Sequence, residues 1–248
     1  MAVYVYGIVR ARDAHGADVD VVEHGELAAL VGRLGDGESR LRRDTILAHA
    51  NVLQSAFERG PVLPMRLGTA MPDADTVVRE LLAPQADVLA QRLDGLDGRA
   101  EMQVKAIYSE EPLLRSILDA DPALSRAVAR SRGLPAAATH FDQIRIGEAI
   151  ANAVEARQAA DGTALMSALR PLAIAVSVSA PHHERAVINA AFLVDSDELP
   201  RFDATVEQLS EGHSPEIEFK LIGPLPAYSF TDRDPRELAG VGSPAGWA

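Results

Sequence analysis

No cysteine occurs among the 248 residues. That absence excludes a disulfide framework, a thiolate metal site and a cysteine nucleophile, and it suits a reducing cytosol. Basic residues are in deficit, with 24 Lys+Arg against 36 Asp+Glu and a net charge of -12. An acidic surface repels phosphate backbones and anionic headgroups, so neither nucleic acid nor a membrane surface is the expected partner. Long hydrophobic runs are missing too: the stretches around Leu172–Ala180 and Ala190–Val194 are far shorter than the roughly 20 residues that span a bilayer. The apolar start, Ala2 to Val9, has no basic segment before it and Arg10 after it, which reads as a strand rather than a secretory signal. Neither G-x-S-x-G nor G-x-x-x-x-G-K-[ST] is present, so the sequence offers no nucleophile elbow and no phosphate loop. There is no internal repeat or low-complexity tract.

What is present is an ordinary globular balance, 47% apolar and 24% charged, enough for one large or two compact cores. Val3 to Val9 is β-branched and aromatic, and Val19–Glu23 and Leu27–Val31 are two further strand candidates. From Asp44, placed as an N-cap, Ile46, Leu47, Ala50, Leu53 and Phe57 recur at helical spacing until Gly60-Pro61. Pro61 to Thr69 has two prolines and a glycine, yet it is too apolar for a free loop, and it is expected to be a buried extended segment. Helices follow at Asp75–Leu82 and Gln85–Leu93, divided at Pro84, and Asp94 to Gly98 reads as a turn-rich connection.

In the second half, Met102, Val104 and Ala106 alternate with Glu101, Gln103 and Lys105, predicting a strand over Arg99–Tyr108 with one buried face. Strands are also predicted at Leu172–Ser179, Val187–Val194 and Ile217–Leu221. Helices are expected at Pro112–Leu118, Pro122–Arg130, Asp142–Ala160 and Asp197–Ser210, the last capped by Ser196. The order β, α, β, β, α, β is the split βαβ plan of ferredoxin-like domains. The expected fold class is therefore α+β (mixed α/β) in two domains: residues 1–97, an N-terminal α+β domain; 98–222, a ferredoxin-like domain with a helical insertion and an antiparallel sheet backed by helices on one face; and 223–248, a proline-containing tail docked on the domains.

No active site announces itself. Gly32 to Gly37 has glycines spaced like a dinucleotide loop, but the charged run Glu38 to Asp44 does not open an apolar helix, so a solvated turn is the reading. His182 and His183 are adjacent and point to opposite faces of extended chain, which does not suit a shared metal. His140 and Asp142 are assigned to a capping region just before a helix, and His49 to a packed helix face. No catalytic, cofactor or metal residues are nominated. Arg66 lies inside an apolar, proline-flanked stretch, where a buried guanidinium needs a partner; a structural carboxylate pair is the first reading and protein binding the second. Tyr228 and Phe230 follow Gly223-Pro224-Leu225-Pro226 and are expected to anchor the tail on the chain's own surface or on a partner.

Six ordered blocks then carry a family resemblance: Tyr4-Val5-Tyr6-Gly7-Ile8; His49 with Val52-Leu53; Val62-Leu63-Pro64-Met65-Arg66-Leu67-Gly68-Thr69; Gly98-Arg99-Ala100-Glu101 leading into Val104-Lys105; Asn189 to Val194; and Gly223-Pro224-Leu225-Pro226-Ala227-Tyr228-Ser229-Phe230. The chain resembles the gas vesicle protein F/L family (GvpF/GvpL) over nearly its whole length. It departs from the family pattern at Leu67, where P-x-R-F-G-T has phenylalanine, and at Leu225 and Ala227, where G-P-W-P-P-Y-S-F has Trp and Pro. The resemblance implies a cytoplasmic, non-enzymatic accessory protein of gas vesicles with no cofactor, whose partners are the small hydrophobic shell protein GvpA and other accessory proteins. A chaperone-like or nucleating role follows as an expectation, with contact through the sheet or the interdomain groove. The alternative from another class is a small-ligand sensor or enzyme built on the ferredoxin-like domain, since that fold hosts many functions.

Overall fold

β-branched and aromatic residues put β1 at Val3–Arg10, and it becomes the hub of the first of two antiparallel sheets. The structure, a computed structural model, describes residues 1–15, 19–33, 43–131, 136–180 and 183–231, with backbone alone for 136–139. The first sheet has the order β2 (Asp20–His24), β3 (Leu27–Arg33), β1, β4 (Val62–Pro64), with the short β5 (Ala70–Met71) also on β1. A register shift against β3 between Val5 and Gly7 inserts a bulge. The bulge flips the strand's side-chain phase, so Val5 and Ile8, three residues apart, enter the same core.

Both faces of this sheet are covered. On one lies α1 (Arg43–Phe57), with Leu53 and Ala56 against Val9, Leu30 and Val62. Gly7 makes the approach possible, because a Cβ there would fall 2.7 Å from Leu53 Cδ2 and 3.0 Å from the Leu63 carbonyl oxygen. The inward face of α1 is His49, Leu53 and Ala56; Ile46 and Leu47 of the predicted stripe are 45% and 52% exposed. Asp44 lies inside the first turn instead of capping it. The other face meets a helical run from α2 (Ala74–Thr76), capped by the Asp73 side chain at Thr76 N–H, through a wide turn at Val77–Leu82 and a tight one at Ala83–Gln85 to α3 (Ala86–Leu96). Helix thus occupies Asp94 to Leu96, where a turn was predicted.

The second sheet has the order β7 (Ala175–Val178), β8 (Ala186–Asp195), β6 (Arg99–Tyr108), β9 (Ile217–Leu225), every pairing antiparallel. Met102, Val104, Ala106 and Tyr108 face a core shared with Phe192, Phe202 and Leu165. That core is roofed by α4 (Glu110–Ala120), α5 (Pro122–Ser131), α6 (Ala136–Leu169) and α7 (Leu199–His213). α6 is far longer than predicted and contains His140 and Asp142, which therefore lie within a helix instead of at its start. Ser196 begins a short 3-10 turn, Ser196–Glu198, and caps nothing. Leu172 closes another such turn, so β7 begins only at Ala175.

The opposite face of this sheet departs from the expected solvent exposure. Ala191 and Leu193 join the core under the first sheet, together with Ala227 and Phe230. Glu101, predicted to face solvent, is fully buried. β9 runs through Pro224 to Leu225, since a register shift against Glu101 and Gln103 gives a proline a place where no ladder hydrogen bond is required.

Candidate functional site

The blocks singled out in the sequence converge on two places. At the first, β1 brings Tyr4 and Tyr6 against His49 of α1, with ring centroids 5.7 and 5.8 Å from the imidazole. Gly68 N–H donates to Tyr4 Oη at 3.0 Å, and that hydroxyl lies 2.8 Å from His49 Nδ1. The hydroxyl keeps its proton and one lone pair after accepting from Gly68, so the direction of its bond to Nδ1 follows the imidazole tautomer, and a neutral ring with a bare Nδ1 accepts the Tyr4 proton. Burial lowers the His49 pKa below its ordinary value, with a backbone hydrogen bond to Met65 acting in the opposite sense. Thr69 N–H returns to the Arg66 carbonyl oxygen at 3.0 Å, and Gly68 has φ +90°, as a type II turn demands at its third residue.

That turn corrects the reading of Pro61–Thr69 as buried throughout. Pro61 to Pro64 is buried, but the chain then reverses over Arg66, Leu67 and Gly68, and all three are exposed. Arg66 is on the surface, not a guanidinium within the core.

At the second place the tail crosses the join between the sheets. The Glu101 carboxylate accepts Ser229 N–H at 2.7 Å, Ser229 Oγ–H at 3.0 Å and Gln103 Nε2–H at 2.8 Å. Phe230 is wholly buried, so it anchors the chain to itself. Tyr228 is half-buried against the α1-side core, and its hydroxyl pKa is raised by burial and by the nearby Glu101 charge. Glu101 was not among the residues nominated; the only signal for it was the pairing of the Gly98–Glu101 block with the Tyr228-Ser229-Phe230 block, and sequence does not reveal that they touch.

Open grooves flank α6, and the two largest of the three among the described residues lie along its middle and second half. One, of about 590 Å3, lies between the second half of α6 and the β7–β8 edge. Met166, Val178, Val187 and Ile188 are among its walls, and among the described residues Arg170 is the one charged residue lining it. β7 is four residues long beside a ten-residue β8 and pairs with β8 alone among the described strands, and Val178 is 57% exposed. The other groove, of about 680 Å3, lies between α4, the middle of α6 and the loop at His183–Arg185. A polar knot sets the spacing of its helices: Arg157 of α6 bonds Ser116 Oγ of α4 at 2.5 Å and Glu216 at 2.7 Å, while Tyr108 donates to Asp161 at 2.5 Å.

Among the described residues no group of three or more His, Asp or Glu is placed to hold a metal ion. His183 Nδ1 accepts the Arg185 N–H at 3.0 Å, while His182 and most of Gly32–Gly37 lie outside the described residues. No helix is long and apolar enough to cross a membrane, again among those residues.

The architecture is that of a mixed α+β protein with two antiparallel sheets, helices packed on both faces of the first and roofing one face of the second, and apolar grooves beside the longest helix. The family described as "Gas vesicle synthesis protein GvpL/GvpF" matches residues 2–232, and the chain belongs to that family. It is similar to gas vesicle protein F of Streptomyces sp. (strain CB03234), 33% identical over 94% of this chain and 100% of that protein. Gas vesicle protein L of the same strain is 31% identical over 92% of this chain and 91% of that one. The fold matches the crystal structure of gas vesicle protein GvpF from Anabaena sp. PCC7120, with a TM-score of 0.77 at 24% identity, covering 94% of this chain and 98% of that one. The Microcystis aeruginosa GvpF crystal structure matches at a TM-score of 0.70 and 22% identity, over 94% and 99% of the two chains. The role that family membership gives the chain is that of a gas vesicle accessory protein.

Proposed function

We propose that this chain is a non-enzymatic assembly factor or minor structural component that binds the hydrophobic shell protein GvpA and other vesicle proteins in the cytoplasm and at the gas vesicle. The observation that carries the reading is the groove between α6 and the β7–β8 edge, where apolar walls open to solvent and Arg170 is the one charge among the described residues. An enzyme concentrates converging acids, bases or ligands in its cleft, whereas a lining of this kind suits apolar partner surface. A shell subunit carries apolar surface before it assembles, and an acidic protein covering it suppresses aggregation. The division into residues 1–97 and 98–222 is part of this proposal, supported by the first sheet lying wholly before Gly98 and the second wholly after it, while the tail placed from 223 begins inside β9, which ends at Leu225. Arg66 and Tyr228 retain surface for a partner; Phe230 does not. Affinity capture with the purified chain as bait tests the proposal: GvpA or another vesicle protein is retained, and retention of neither contradicts it.

A further inference from the structure

The α4–α6 groove differs in chemistry from the one at the sheet edge. Its walls are two helices, with Leu113, Leu114 and Ile117 on α4 and Ile150, Ala151 and Val154 on α6. Leu113 and Ile117 lie deep, at 3% and 5% exposure, while Leu114 on the lip is 36% exposed. The i, i+4 pairs Leu113/Ile117 and Ile150/Val154 form the floor between two rows of side chains, with Leu114 and small Ala151 exposed at the lip. Such rows accept the ridge of another helix at the usual spacing of about 8–10 Å. A strand finds no free backbone edge there, because both walls satisfy their own backbone groups.

The rim is acidic. Glu110, Glu155 and Glu184 border the groove against Arg185 and His183. Arg185 is already engaged by Glu110 at 3.3 Å, and Glu155 and Glu184 have no ion-pair partner among the described residues. Gln158 holds the loop that carries Glu184 against α6, donating to the Glu184 carbonyl oxygen at 2.5 Å. The backbone that carries Glu184 is therefore tied to α6 beside the apolar floor. It also argues against a second copy of this chain, because an isologous contact would set the same carboxylates against each other.

We propose that this groove docks an amphipathic helix of a partner protein, apolar on one face and flanked by Lys or Arg that meet Glu155 and Glu184. This rests on the protein-binding reading above and adds the chemistry of the partner segment. α4, of 11 residues, is about 16 Å long at 1.5 Å per residue, so the groove matches roughly three helical turns.

The test uses the full chain and three labelled synthetic peptides of about 14 residues, a length set by three to four turns. One has a Leu/Ala face with Lys flanks, one has the same face with Glu flanks, and one is a scramble of the first. Fluorescence anisotropy is expected to show binding of the Lys-flanked helix alone, lost in Leu114→Glu and weakened about tenfold at low salt in Glu155→Lys/Glu184→Lys, with preference moving to the Glu-flanked peptide. These three positions are at the surface, and circular dichroism checks that each variant is folded. Equal binding of the scramble, persistence of binding in Leu114→Glu, indifference to the charge swap, or no binding overturns the proposal. Capture of GvpA together with a failed peptide test sinks the groove assignment alone, whereas loss of both sinks the binding reading.

Discussion

The buried carboxylate of Glu101 and the backbone N–H of Ser229, 128 residues apart in sequence, are joined at 2.7 Å, with the Ser229 hydroxyl adding a second bond at 3.0 Å. This clasp holds the tail where Ala227 and Phe230 complete the core between the two sheets. Glu101→Ala leaves the Ser229 N–H and the Gln103 amide without that acceptor, and the expected cost is about 1–3 kcal/mol, since both donors are only part-buried and water can reach them. Glu101→Gln keeps one acceptor, and the Gln103 amide can reverse to meet the new NH2, so about 1 kcal/mol is expected. Urea denaturation orders the two variants; equal stability of wild type and Glu101→Ala refutes the clasp.

Phe230→Ala empties a fully buried site. The expected loss is about 3–5 kcal/mol, read as a lower denaturation midpoint, while the folded fraction keeps its partner binding. Loss of binding at unchanged stability contradicts the anchor role.

Gly7→Ala forces a methyl against Leu53 Cδ2 and the Leu63 carbonyl. Overpacking of this kind costs about 1–3 kcal/mol. Pairing it with Leu53→Ala provides the control, because the double variant is expected to be less destabilised than the sum of the single ones. Simple additivity shows that the helix approach is not what the glycine permits.

His49 is disfavoured as a cation by burial, so its folded pKa lies below the ordinary 6.5. The unfolded chain then binds more protons in the window from 6.5 down to the folded value, and stability falls as pH falls through that window. Above 6.5 this contribution is fully present. His49→Gln is expected to remove that part of the slope, seen in thermal melts at stepped pH. A slope unchanged by the substitution assigns the pH dependence to other groups.

Elements with clear periodicity were legible in the residues: β1, β3, β6 and β8 lie within a residue or two of where alternation or β-branching put them, and α4 and α5 likewise. The failures share a cause, which is that burial depends on what arrives from elsewhere in the chain. Ile46 and Leu47 fit a helical stripe, but the bulge in β1 and the gap at Gly7 draw α1 in by His49, Leu53 and Ala56 instead. Glu101 alternates as a solvent-facing residue should, but its face of the sheet is covered by the first sheet's core and the returning tail, which binds its carboxylate. Pro224 lies beyond the strand predicted at Ile217–Leu221, yet it is part of β9, at a register shift where the ladder asks nothing of it. Arg66 belongs to an apolar segment in sequence, but a turn closed by Gly68 carries it outward. The grooves beside α6 had no local signature, because they are formed by helices and strands far apart in the chain.

Gene deletion in the organism that makes this protein, followed by complementation and a flotation assay, tests the proposed role most directly. The account predicts that deleted cells sink and lack intact vesicles, and that the wild-type gene restores buoyancy. Cells that float unchanged without the gene contradict it.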